Sequence, residues 1–437
     1  MSGPAASRAG DFEHHTTRSG LDVYVLPTRK WKTKLLRLHA RAPLSERNAA
    51  RALLPNLLRR GTVRRPSMAA VSRALEALYG ASFTNSAHKQ GDEQVISFRL
   101  ETVGERYLPG QPAVFAPAVE LARELLHEPY LPGGTFPVEV FAQERLNHQR
   151  EIDALFNDKQ TFAWQRLFDL AFGDEPFGRP VLGTAAEASA LRPEDALKAH
   201  AELLARSPMC AFAVGDFAPG EAVAVCERLL PAAQSAPRRV PTSPRRPPRS
   251  APQLVVERDR VSQSKLVTAR RVDLDGLSER EFDALRVHAG ILGGGFHSRL
   301  FQSVREEHSL AYSVSSSVDR LRGVLYTSAG IDANARSKVI DLVEQEIASL
   351  RTAPPRDEEL SQTKNLIVSG TRSLLDSAGG MVDSLEAGLA AGRVRALEEI
   401  ACAVAQVTAA DVQAVAQRIG PPDVIFCLEG ETRPAGA

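Results

Sequence analysis

At 437 residues the chain is too long for one ordinary core, and its 43% apolar residues suffice for two domains of roughly 200 residues each. Its 54 basic and 53 acidic residues leave a net charge of +1, which argues against a dedicated nucleic-acid or membrane surface and points to proteins or peptides as partners. Cys210, Cys226, Cys402 and Cys427 lack Cys-x-x-Cys spacing, the first segment has no apolar core region and no run is long enough to span a bilayer, so reduced thiols and a cytoplasmic location are expected.

In chain order, residues 1–19 read as an N-terminal tail. The stretches 20–27 and 34–41 alternate as strands, and a helical stretch follows from about Ser45. That stretch contains Pro55. In a helix interior Pro removes one backbone bond and costs about 3 kcal/mol, so the helix is expected to start or bend there. Residues 67–80 predict a helix with Ser67 as N-cap and Gly80 closing it. A hairpin is expected from 81–87 and 95–100, and a long helix over 138–153. Between 235 and 252 Pro, Arg and Ser crowd together. Each Pro fixes φ and removes a donor, so this segment reads as an extended, solvated linker. No aromatic residue is interleaved for base stacking, so its arginines read as a soluble spacer and not as an RNA site.

The order recurs beyond the linker. Residues 254–257 and 264–269 are strand-like, and Ser278-Glu-Arg-Glu281 has the form of a capping box. The helix that follows places Phe282, Leu285, Ala289 and Leu292 on one face. A further helix is expected over 298–307, then strands 310–318 and 323–329, and a long helix over 358–375. Ala81 and Val95 are 14 positions apart, Ala311 and Val324 13. Such agreement points to duplication. The expected fold class is therefore α+β, with two homologous domains at 20–234 and 253–431, each a mainly antiparallel sheet covered by helices.

Three stretches carry the candidate chemistry: Arg51-Ala-Leu-Leu-Pro-Asn-Leu-Leu-Arg-Arg-Gly-Thr62, Glu144-Arg-Leu-Asn-His-Gln-Arg-Glu-Ile152, and the run from Gly293 to Tyr312. Together they resemble the pitrilysin or insulinase family of zinc metallopeptidases, over about residues 20–430. The family's zinc helix carries His-x-x-Glu-His, then an apolar stretch and Gly-Thr. Counting back from Gly61-Thr62, the first His falls on Ala52, the Glu on Pro55 and the second His on Asn56. Zinc needs three good protein ligands and an open position, and neither Ala nor Pro can donate an electron pair, so no metal and no cofactor are expected on this chain. Glu151 matches the family's distal zinc Glu, but without facing histidines it reads as a solvated or Arg-paired carboxylate. His148-Gln-Arg-Glu151 is half of an inverted zinc motif, with Ile152 in place of the second His. His14 and His15 lie together in the tail, while His39, His88, His127, His200, His288, His297 and His308 stand singly and read as surface or packed residues. No Gly-x-Ser-x-Gly elbow is present.

In the family, an Arg and a Tyr seven residues apart hold the substrate backbone and the transition-state oxygen, and Arg305 and Tyr312 match that spacing. A guanidinium at a helix end and a phenol at a strand start can both donate to one carbonyl. The residues alone equally allow Arg305 to cap its helix or pair with Glu306 or Glu307, and Tyr312 to sit in the core with Leu310 and Val314. The triplet Gly293, Gly294, Gly295 is not a phosphate loop. It either ends the preceding helix or, by resemblance to the glycine-rich loop in the non-catalytic subunit of the mitochondrial processing peptidase, helps admit substrate.

The resemblance implies half of a clamshell: a non-catalytic, substrate-binding subunit of a heterodimeric zinc metallopeptidase acting on peptides or unfolded segments. No zinc peptidase activity is expected of the chain alone, since a paralogous partner would supply the zinc and general base. The peptide would add a strand to a sheet edge. The alternatives are a structural or adaptor protein, an accessory role in protein modification, or a self-sufficient peptidase with a different metal site.

Overall fold

The computed structural model describes residues 7–173, 175–218, 220–230, 249 and 251–430, so most of the expected linker at 235–252 lies outside the described residues. The chain forms two compact units: Met1–Ala154 with Arg179–Ser243 and Ala378–Leu389, and Leu155–Gly178 with Pro244–Ser377 and Ala390–Ala437.

The first unit is built on β1 (Ser7–Ala9), β2 (Phe12–Thr16), β3 (Asp22–Pro27), β4 (Thr33–Pro43), β5 (Ser82–Gln90), β6 (Glu93–Val103) and β7 (Met209–Gly215). Their order is β1-β2-β3-β7-β4-β6-β5, and only β3 and β7 run parallel. The second is built on β8 (Gln253–Asp259), β9 (Ser264–Val272), β10 (Ala311–Asp319), β11 (Val324–Ile331) and β12 (Ile419–Gly430). Here the order is β10-β11-β9-β12-β8, with β8 and β12 the parallel pair. Read from the other edge, β8-β12-β9-β11-β10 repeats β3-β7-β4-β6-β5 strand for strand and direction for direction. Both sheets are mainly antiparallel and covered by helices, the α+β class that the patterning implies.

Local signals act where the sequence places them. Ser67 caps the Met68–Ala77 helix through the Ala70 N–H at 3.2 Å, and the Ser278/Glu281 box caps the Glu279–Gly293 helix. Two expectations are corrected. Residues 7–16 are not tail: β1 and β2 pair onto β3, with Glu13 opposite Val25, and the His14 ring stacks on Tyr24 at 4.8 Å. These strands are too short for their alternation to stand out. Nor does the first helix start at Pro55, because it runs continuously over Asn48–Leu58. Leu53, Leu54, Leu57 and Leu58 are at most 1% exposed. At about 1.5–3 kcal/mol each, their burial outweighs the loss of about 3 kcal/mol at the proline.

Two helices cross between the halves of the sequence. Lys159–Phe172, from the N-terminal half, belongs to the second unit, where Ala163, Leu167 and Phe172 pack with Val267, Tyr326 and Phe426. At its end a buried network joins Arg271 to Asp423 at 2.8 Å and to Glu175 at 3.9 Å, Glu175 also takes Arg322, and the Arg271 guanidinium lies 4.9 Å from the Phe172 ring centroid. Reciprocally, Ala378–Ala390 docks in the first unit, where Asp383 takes Arg37 at 2.5 Å and Glu386 takes His39 at 2.9 Å. Among the described residues no single helix is long and apolar enough to cross a membrane.

Candidate functional site

In the first unit, the positions of the zinc motif are filled by packing and amide contacts. Ala52 is 7% exposed and Pro55 is buried, while the Asn56 side-chain oxygen Oδ1 accepts from Asn85 Nδ2 at 3.2 Å. Glu144 is buried and engaged by Arg60, whose Nε lies 2.5 Å from Oε1. Glu151 points to solvent, its side chain 55% exposed and 3.7 Å from His148 Nδ1, while His148 Nε2 donates to the Leu182 carbonyl at 2.9 Å. Among the described residues no group of three or more His, Cys, Asp or Glu side chains is placed to hold a metal ion. The residues at these positions do not fit the family's zinc, because two of the three motif side chains carry no donor atom.

In the second unit, Arg305 and Tyr312 meet. The helix over Phe301–Glu307 is widely wound, and Ser309 at φ 52° closes it, its N–H donating to the Arg305 carbonyl at 3.0 Å. This turn folds the chain back into β10, so that the Arg305 guanidinium lies 4.7 Å from the Phe301 ring centroid and 5.5 Å from that of Tyr312. Tyr312 is 73% exposed and is no core residue. Glu306 is 3.6 Å from Arg305 Nε, too far for a hydrogen bond, and among the described residues the Arg305 side chain makes none. Two aromatic faces thus hold a guanidinium whose donors remain available, each contact contributing about 0.5–1 kcal/mol. Sequence reasoning passed over Phe296 and Phe301. Phe296 is 76% exposed and packs edge-on against Phe301 at 5.1 Å, extending the stack. The signal was there: two phenylalanines between the glycine run and Arg305.

Gly293 has a packing reason. A Cβ there would lie 2.6 Å from the Ser316 backbone nitrogen, so only glycine lets the Glu279–Gly293 helix meet β10 this closely. A Cβ on Gly294 would meet the Gly290 backbone at 2.7 Å, and one on Gly295 would touch Leu366 and His297 at 3.2 and 3.3 Å.

The reading that the histidines stand singly is corrected in the first unit. His39 Nδ1 lies 2.9 Å from Glu386 Oε1, and His88 Nε2 lies 3.4 Å from Glu386 Oε2. Burial pushes the Glu386 carboxyl up, but the His39 and His88 hydrogen bonds outweigh this and hold it well below the usual carboxylate range. His39 is itself shifted down by burial, against the pull of Glu386. A neutral His39 donating to an ionised Glu386 satisfies both directions.

Fold and site together define a two-unit α+β protein that keeps the helix frame of a zinc peptidase without its donor side chains. A family profile described as Peptidase M16 inactive domain matches residues 190–367. The chain is 26% identical over 419 residues to the probable inactive metalloprotease YmfF of Bacillus subtilis, covering 96% of this chain and 98% of that protein. Among solved structures, a conserved protein from Enterococcus faecalis superposes with a TM-score of 0.89 at 29% identity, covering 96% of this chain and 99% of that one. A peptidase M16 inactive domain from Pseudomonas fluorescens matches with a TM-score of 0.79 at 21% identity over 97% and 100%, a likeness of fold. Over residues 190–367 the chain thus resembles the M16 peptidase inactive domain, and over nearly its whole length it is similar to a probable inactive metalloprotease.

Proposed function

We propose that this chain is the non-catalytic, substrate-gripping subunit of a two-chain zinc peptidase, working in the cytoplasm on peptides or unfolded segments. A zinc-bearing paralogue would complete the heterodimer and supply metal-activated water and the general base. The chain's own part is to hold the substrate. β10 is the outer strand of its sheet, so an extended peptide can pair along its main chain. Arg305 and the Tyr312 hydroxyl then donate to the scissile carbonyl and to the negative charge that develops on it. Gly293 meets the β10 backbone at Ser316, and with Gly294 and Gly295 after it keeps that approach narrow and free of side chains.

The observation that carries this reading is the Arg305–Tyr312 pair, stacked at 5.5 Å and turned outward at a strand edge. In the reconstituted pair, Arg305→Ala or Tyr312→Phe lowers turnover by roughly 100- to 1,000-fold, as for one lost oxyanion donor. Unchanged rates in both variants refute the role. Zinc retained by the isolated chain, together with peptide cleavage without any partner, refutes the division of labour.

A further inference from the structure

On the polar face of the first sheet, β4, β5, β6 and the Ala378–Ala390 helix enclose a cavity of about 590 Å³ whose walls include Arg37, His39, His88, Ser97, Arg99 and Glu386. The β4–β6 register sets Arg37 directly opposite Arg99 and His39 opposite Ser97. Two like charges facing each other across a ladder destabilise it unless something negative lies between them. Each arginine already holds one carboxylate: Arg37 donates from Nη1 to Asp383, and Arg99 from Nη2 to Glu101, both at 2.5 Å. The other nitrogens, Arg37 Nη2 and Arg99 Nη1, make no hydrogen bond among the described residues, and these two converge. A Cβ built on Gly379 would lie 2.7 Å from the first and 3.7 Å from the second. Gly379 stands in the first turn of the 13-residue Ala378–Ala390 helix, which has no acidic residue in that turn. Two guanidinium groups thus close on the positive end of a helix dipole, at a position with no side chain of its own.

A second observation narrows the ligand. His39 is 1% exposed, its Nδ1 is taken by Glu386, and its Nε2 has no partner. With the imidazole neutral, Nε2 is a bare acceptor, which a carboxylate cannot satisfy but an N–H beside the carboxylate can. We propose that this cavity binds the free C-terminal carboxylate of a peptide, held between Arg37 and Arg99 at the first turn of the Ala378–Ala390 helix, with a backbone N–H of its last two residues donating to His39. Positions 37 and 39 are two apart on one strand face, roughly 7 Å, about the distance from a terminal carboxylate to the second amide of an extended chain. The proposal rests on the reading that the chain grips peptides, and adds that it recognises their ends.

The test measures binding of an N-terminally labelled peptide to the full chain at low salt, as the free acid and as the C-terminal amide, with inorganic phosphate as competitor. The amide binds roughly 10- to 100-fold more weakly, the value of a hydrogen bond to a charged group. Gly379→Asp places a carboxylate of the chain's own between the two arginines and abolishes this preference. The substitution is tolerated, because an acidic residue in a first turn is favourable and its near contact is the flexible end of Arg37. Arg305→Ala weakens acid and amide alike and leaves their ratio unchanged. Equal affinity of acid and amide, with binding still dependent on Arg305, overturns the pocket and leaves the proposed function standing. A preference that survives Gly379→Asp overturns it as well. Competition by phosphate without any acid–amide difference means an adventitious anion site only and overturns the peptide-end assignment. Absence of binding by either peptide overturns both the pocket and the gripping role.

Discussion

His288 makes the site-bearing unit sensitive to acid. It lies in the Glu279–Gly293 helix, 0% exposed, and neither ring nitrogen has a hydrogen-bond partner. Burial, reinforced by the positive charges of Arg299 and Arg351, pushes its pKa down from 6.5 to about 3. A folded-state pKa below the unfolded one means that the unfolded chain binds the proton more readily. The contribution to stability is therefore complete above pH 6.5 and is lost progressively as the pH falls toward 3. Linkage over this window gives a loss of about 2 kcal/mol between pH 7 and pH 5. The assay is urea unfolding at both pH values, for the wild type and for His288→Leu, which keeps an apolar side chain of similar bulk and removes the titration. Other groups also titrate, so the diagnostic quantity is the difference between the two proteins: the variant should lose about 2 kcal/mol less. Equal losses in both proteins would refute the reasoning. So would a variant destabilised by several kcal/mol at pH 7, which would mean that the imidazole nitrogens are engaged.

Glu175→Gln removes a carboxylate shared by buried Arg271 and Arg322, and weakening that buried network while Arg271 keeps Asp423 should cost about 1–3 kcal/mol in unfolding free energy. A loss within 1 kcal/mol in chemical denaturation would contradict it. Gly293→Ala drives a Cβ into the Ser315 and Ser316 backbone, which cannot move as a side-chain end can, and should cost about 1–3 kcal/mol. Unchanged stability would show that the helix and β10 separate freely. Tyr312→Phe, which keeps the ring, should alter unfolding free energy by no more than about 0.5 kcal/mol, and Arg305→Ala, which gives up two cation–π contacts, by no more than about 2 kcal/mol. A larger loss would return both residues to a structural role.

The sequence by itself determined what depends on neighbouring residues. Ser67 and the Ser278/Glu281 box act within one helical turn, strand alternation is local, and the missing donors at Ala52 and Pro55 are matters of side-chain identity. The duplication was legible for the same reason, since both halves repeat one order of local signals. Tertiary structure alone decided what depends on distant contacts. His39 and Glu386 meet across 347 positions, and Arg271 and Asp423 across 152. The Lys159–Phe172 and Ala378–Ala390 helices each cover the sheet built from the other half, and their amphipathic patterns state only that a face must be buried, not against which sheet. His288 is as anonymous in the sequence as the other histidines. Its depressed pKa comes from the apolar residues and two arginines that the fold gathers round it.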